Sequence, residues 1–149
     1  MGKYNISELK TKKAEYRHTV SSTMMDIIQE QIINIIVKHK AYRDKDYSAK
    51  KLAKEIGTNT RYISAVVNDR FHMNYSQFVN KYRINEAMGI LSDRRYQDLS
   101  MKDICDMVGF ANRQTFYASF YRFVGVTPRQ YRLNFLRKQS INDIQPSSF

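Results

Sequence analysis

Arg113 and Gln114 stand side by side directly after Asn112, a residue type that opens helices by accepting a hydrogen bond from the first turn. A guanidinium forks onto O6 and N7 of guanine, and a primary amide onto N6 and N7 of adenine. Two such groups at the start of a helix are suited to base edges in a major groove. Arg61 holds a comparable position two residues after Asn59. A helix entering a groove also needs an outer face free of bulky apolar groups, and Ser64, Ala65 and Asn68 supply one behind Arg61. Tyr117, Ala118 and Tyr121 lie off the apolar stripe that follows Arg113. No constellation for covalent or acid–base catalysis accompanies these residues. His18, His39 and His72 fall in unrelated segments with no paired carboxylates, glycine-rich loop or cysteine cluster beside them, so neither metal nor cofactor is expected.

The elements that must position these side chains occur twice. Tyr47-Ser-Ala-Lys-Lys-Leu-Ala-Lys-Glu-Ile-Gly57 is answered fifty-two positions on by Leu99-Ser-Met-Lys-Asp-Ile-Cys-Asp-Met-Val-Gly109. Each copy reads as a short helix with a serine N-cap (Ser48, Ser100), an apolar face and a terminal glycine. A second helical pattern starts two or three residues after each glycine, which is the helix-turn-helix arrangement. The first partner helix, near 60–70, buries Ile63, Val66 and Val67, with Phe71 at its end. The second, near 113–123, buries Phe116, Phe120 and Phe123, with Val124 at its end.

Charge points the same way. Twenty-five Lys and Arg against fourteen Asp and Glu give a net charge of +11, the balance of a nucleic-acid binder. No acidic residue lies between Asp106 and Asp143, while Arg113, Arg122, Arg129, Arg132, Arg137 and Lys138 all fall there. Lys50, Lys102, Arg129 and Arg132 are candidate phosphate contacts, as are the helix starts at Ser48 and Ser100. For Arg132 an ion pair holding down the last helix is an equal alternative. Cys105, the only cysteine, takes the place of Ala53 in the repeat and reads as a small buried hydrophobe. No signal-peptide pattern or bilayer-length apolar run is present, which assigns the protein to the cytosol and away from membranes.

Helix formers with a 3.6-residue apolar period dominate, so the chain is expected to be all-α. Residues 1–23 read as an arm or linker whose Ile6, Leu9, Tyr16 and Val20 would cover surplus apolar surface on the next helix, 24–38. That helix sets Met24, Met25, Ile28, Ile32, Ile35 and Ile36 on one face, with Ile27, Ile33 and Val37 outside it. A long helix follows Asn74, and Gly89 within it would admit a closely packed neighbour. Thr127-Pro128 opens a last helix running to about Arg137, and 138–149 reads as a tail.

Asp103-Ile-Cys-Asp-Met-Val-Gly-Phe110, then Phe116 and Phe120, then Gly125-Val-Thr-Pro-Arg-Gln-Tyr-Arg132 resemble the signature of the AraC/XylS-type DNA-binding domain. Arg83-Ile84, Ala87, Ile90 and Leu91 are similar to that family's linker helix. The resemblance covers about 24–137. It implies seven helices: a first lobe over 24–73, a linker helix over 74–92 and a second lobe over 99–137. It also implies two recognition helices in successive major grooves, with base contacts falling on Arg61, Ser64, Ala65, Arg113, Gln114, Tyr117 and Ala118. The implied partners are double-stranded DNA and RNA polymerase, and a sensor or dimerisation domain common in the family is missing from the chain. His72 departs from the family, standing where a glycine often ends the first recognition helix. Cys105, Ala65 and Ala118 also depart from common family residues. The competing reading is a helical protein–protein module whose basic face meets an acidic partner. Salt-dependent binding blind to DNA sequence would distinguish it.

Overall fold

Six helices begin where the sequence supplies an acceptor for their first free amides. The computed structural model describes residues 22–144, which form seven helices and no strand. Helix α1 covers 22–38, and its last part, Ile33–Lys38, is widened into a π-helix closed by a 2.9 Å bond from His39 N to Asn34 O. The run there is rich in Ile and Val, residue types that crowd an α-turn. Next come α2 (Ala49–Ile56), α3 (Thr60–Phe71), α4 (Tyr75–Leu91), α5 (Met101–Val108), α6 (Arg113–Val124) and α7 (Pro128–Ile144). Their N-caps are Ser48, Asn59, Asn74, Ser100 and Asn112 for α2 to α6, each side-chain oxygen accepting from a backbone N–H three residues on. Thr127 Oγ1 accepts from Gln130 N at 3.1 Å at the start of α7. Asn74 with Gln77, and Ser100 with Asp103, complete reciprocal capping boxes.

The caps set two helix-turn-helix units, and each unit has its own core. In the first, Ile28, Ile32 and Ile36 of α1 pack with Leu52, Ala53, Ile63, Val66 and Val67. In the second, Met101, Ile104, Cys105 and Val108 pack with Phe110, Phe116 and Phe120. Helix α4 serves both. Phe78 and Val79 are buried in the first core, while Ile84, Ala87 and Leu91 are buried in the second. Aromatic contacts run through each core. Phe71, Phe78 and Tyr82 have centroids 4.7 and 5.1 Å apart, and Phe120 meets Tyr131 of α7 edge-on at 5.6 Å. The all-α class and the two-lobe plan therefore hold.

Several expected details do not. Phe123 is 38% exposed, because Phe116 and Phe120 already fill the face of α6 that meets the core. On α1, Met24 is 48% exposed, whereas Val37 packs against the core, the wider π-turn having rotated it inward. A Cβ at Gly89 would meet nothing within 4 Å among the described residues, so no described helix uses that glycine for close approach. Helix α7 continues to Ile144, well past Arg137, with an ion pair of 2.5 Å between Arg94 and Asp143 near its end. The covering role expected of the arm falls on residues outside those described.

Candidate nucleic-acid interface

Helices α3 and α6 bury one face and turn the other to solvent. On α3 the buried residues are Ile63, Val66 and Val67, so helical geometry sends Arg61, Ser64, Ala65 and Asn68 outward, and all four are exposed. On α6 the buried residues are Phe116 and Phe120, and Arg113, Gln114, Ala118 and Tyr121 are exposed. Tyr117 is half-buried, its ring 5.8 Å from that of Phe116. Cap hydrogen bonds order the first turns. Asn112 Oδ1 accepts from Thr115 N at 2.8 Å and from Thr115 Oγ1 at 2.9 Å, and Asn59 Oδ1 accepts from Tyr62 N at 3.0 Å. Arg61, Ser64, Arg113 and Gln114 make no side-chain hydrogen bond or ion pair among the described residues, so their donors are free for a ligand.

The candidate phosphate contacts divide. Lys50, Lys102 and Arg129 are exposed and without an ion pair among the described residues. Ser48 caps α2 through a 3.1 Å bond from Lys51 N, and no acidic side chain lies in that first turn. Ser100 is different, since the Asp103 carboxylate shares the start of α5 with it. Arg132 is engaged inside the protein. Its Nη1 donates to Leu99 O at 2.7 Å and its Nη2 to Tyr96 O at 3.3 Å. It ties α7 to the loop before α5, by carbonyls rather than by the ion pair considered from sequence. Cys105 is buried and its Sγ lies 3.7 Å from Phe110 O. Burial, reinforced by Asp106 and opposed by Arg113, pushes the thiol pKa up, which keeps it protonated and inert.

Sequence reasoning overlooked the seam between the lobes. An open cleft of about 540 Å³ lies there, and Ser48 at the head of α2 and Thr115 in the first turn of α6 both line it. Arg83 of α4 also lines the cleft, and it binds the 3₁₀ turn Ala41–Arg43 and the residue after it. Its Nε donates to Tyr42 O at 2.6 Å and its Nη2 to Asp44 O at 3.1 Å. One turn on, Glu86 accepts from Tyr42 Oη at 2.6 Å and from Arg43 Nη2 at 2.7 Å. Burial alone would raise the Glu86 carboxyl, but the hydrogen bonds from Arg43 and Tyr42 outweigh it and hold the group below the usual glutamate value. Tyr42 is pushed up to about 12, by burial first and by Glu86 second. The only hint of this seam in the sequence was Arg83-Ile84 within the linker-helix pattern.

Paired helix-turn-helix units whose second helices turn polar and basic faces to solvent fit a DNA-binding regulatory domain. A family model described as a helix-turn-helix domain matches residues 52–134, more than half of the chain. The chain belongs to the AraC-type helix-turn-helix family of DNA-binding transcription regulators, which are not enzymes. The Melibiose operon regulatory protein of Escherichia coli (strain K12) is 30% identical over 89 residues, which is 60% of this chain and 28% of that protein. An uncharacterized HTH-type transcriptional regulator, YtdP of Bacillus subtilis (strain 168), is 29% identical over 105 residues, 70% of this chain. The match spans only 13% of YtdP, so the chain corresponds to a small part of these relatives. Among solved structures, the C-terminal domain of the two-component response regulator yesN from Fusobacterium nucleatum superposes with a TM-score of 0.62 at 25% identity. That match covers 70% of this chain and 96% of the other. An AraC-type transcriptional regulator from Chromobacterium violaceum shares the fold at a TM-score of 0.60 and 18% identity, over 72% of this chain and 93% of that one. Among the described residues no helix is long and apolar enough to cross a membrane.

Proposed function

We propose that this domain reads an asymmetric DNA site by inserting α3 and α6 into successive major grooves on one face of the duplex. The observation that carries the reading is the pair of matched helices whose outward faces hold Arg61, Ser64, Arg113 and Gln114 with their side-chain donors unengaged, beside the small Ala65 and Ala118. In this reading Arg113 donates two hydrogen bonds to O6 and N7 of a guanine, Gln114 donates to N7 and accepts from N6 of an adenine, and Arg61 forks onto a guanine in the other groove. Tyr117, half-buried against the second core, has less of its side chain free for DNA than its neighbours. Lys50, Lys102 and Arg129 hold phosphates, as do the free amides at the start of α2 beside Ser48. At the start of α5 the Asp103 carboxylate repels a phosphate, so there the contact passes from Ser100 to Lys102. Arg132 serves as a brace. We infer further that the regulator meets RNA polymerase, as transcription regulators of this family do, and that it works with a sensor or dimerisation domain, the latter supported by the greater length of the relatives.

Selection of bound sequences from a random duplex pool tests this. Two unlike boxes with centres about 10 bp apart are expected. Enrichment of a single box, or of none, overturns the two-helix reading. Salt-dependent binding without sequence preference would favour the acidic-partner reading instead.

A further inference from the structure

Between the two cores the described residues form a part-buried polar junction. The cores part on α4 between Tyr82, packed against the first, and Ile84, buried in the second. Arg83 lies at that boundary. Besides its bonds to Tyr42 O and Asp44 O, its Nη1 donates to Asn80 Oδ1 at 3.0 Å, and its guanidinium carbon lies 5.6 Å from the centre of the Phe110 ring. Phe110 belongs to the second core, Tyr42 to the first. Glu86 grips the same turn from the next turn of α4 through Tyr42 Oη and the Arg43 guanidinium. Gly109 closes the contact sterically. A Cβ on it would lie 2.4 Å from Tyr42 O and 2.6 Å from Arg43 O, so the end of α5 presses directly on first-lobe backbone. A long helix alone would leave the lobes free to rotate about its axis. Gripping Tyr42–Asp44 off that axis removes the rotation.

We propose that Arg83 and Glu86, with Gly109 as the steric stop, are positioning residues that set the rotation between the two recognition helices and thereby the spacing of DNA boxes the protein accepts. This rests on the two-box reading above. Each base pair inserted between the boxes displaces one relative to the other by about 3.4 Å and rotates it by about 35°. A rigid junction cannot follow that movement, so simultaneous engagement of both boxes is lost.

The test measures affinity of the full chain for its selected site, for sites with one base pair added or removed between the boxes, and for sites with one box scrambled. The proteins compared are the wild type, Arg83→Met, Glu86→Gln and Tyr42→Phe, each checked by thermal melting. The wild type is expected to lose about tenfold or more on a one-base-pair change. In the variants this discrimination should fall to about threefold or less, while binding to a single intact box stays unchanged. Tyr42→Phe removes one hydroxyl and keeps the ring, so it remains informative if Arg83→Met does not fold. The proposal is overturned if folded variants keep the wild-type discrimination, or if they weaken on every site in parallel, single boxes included. A wild type that tolerates one-base-pair changes but rejects a half-turn insertion keeps the two-box reading and refutes the rigid junction. A wild type indifferent to both refutes the two-box reading, and this proposal with it.

Discussion

In the proposed reading, Arg113 and Lys102 act on DNA in two different ways. Arg113 opens α6 with its guanidinium unengaged, so Arg113→Ala is expected to cost about 1–3 kcal/mol at the selected site and to relax preference at one or two base pairs. Lys102→Ala is expected to weaken all sequences alike and to flatten the salt slope by about one. A repeat selection with each variant checks both, and an unchanged preference for Arg113→Ala would contradict the assignment. His72 is a different matter, being exposed and held at φ 57°, ψ 38°, the left-handed conformation that Gly125 adopts at the equivalent end of α6. The departure from glycine therefore leaves the turn in the same conformational region and adds strain to it. His72→Gly is expected to raise the urea midpoint by an amount equivalent to about 0.5–1 kcal/mol. A lower midpoint would show that the imidazole makes a contact worth more than the relieved strain.

Helix ends were legible in the sequence because capping is local. Ser48, Asn59, Asn74, Ser100, Asn112 and Thr127 could each be identified from type and position, and each accepts the expected amide. The far end of α7 was not, since 138–144 offer only Ile141 and Ile144, both exposed, and lie beside a tertiary ion pair between Arg94 and Asp143. Arg132 shows the same limit. Its basic surroundings left a phosphate contact and an ion pair holding down the last helix as equal alternatives, and the partners it has, the carbonyls of Leu99 and Tyr96, lie more than thirty residues upstream. Arg132→Met is accordingly expected to lower stability by about 1–3 kcal/mol and to leave the salt slope of DNA binding unaltered. A flattened slope with unchanged stability would reverse the assignment. Between α4 and the 3₁₀ turn, Glu86 ties stability to pH. Its neighbours there are Arg43, Tyr42 and Lys40. Its folded pKa lies below the ordinary value of about 4.3, so its contribution is complete above that value and is lost as pH falls through the folded pKa. The stability gap between wild type and Glu86→Gln should narrow in acid, as urea midpoints across pH will show. A gap constant with pH would mean the pair adds no net stabilisation from charge.

For the molecule as a whole, the duplicated motif was legible at a distance of fifty-two residues because both copies keep the same cap, apolar face and glycine. The division into two cores meeting on α4 was not, because Phe78 and Ile84 lie about 120° apart around the helix axis, so apolar residues spread over more than one side and no single period marks where one core ends. Nor was the seam, whose partners Arg83, Glu86, Tyr42 and Gly109 come from three separate segments. The two recognition faces also differ from each other, with Arg61, Ser64 and Ala65 on one and Arg113, Gln114 and Ala118 on the other. A monomer should therefore need two unlike boxes rather than a palindrome. Inserting about 5 bp between the boxes turns one to the far side of the duplex, about half a helical turn away. An anisotropy titration on the selected site, with and without that insertion, tests the central claim most directly. With the insertion each lobe binds alone, and affinity is expected to fall toward the non-specific range of roughly 10⁻⁴–10⁻⁶ M. Equal affinity for the two duplexes would contradict the account, because it would mean that the lobes do not read DNA together.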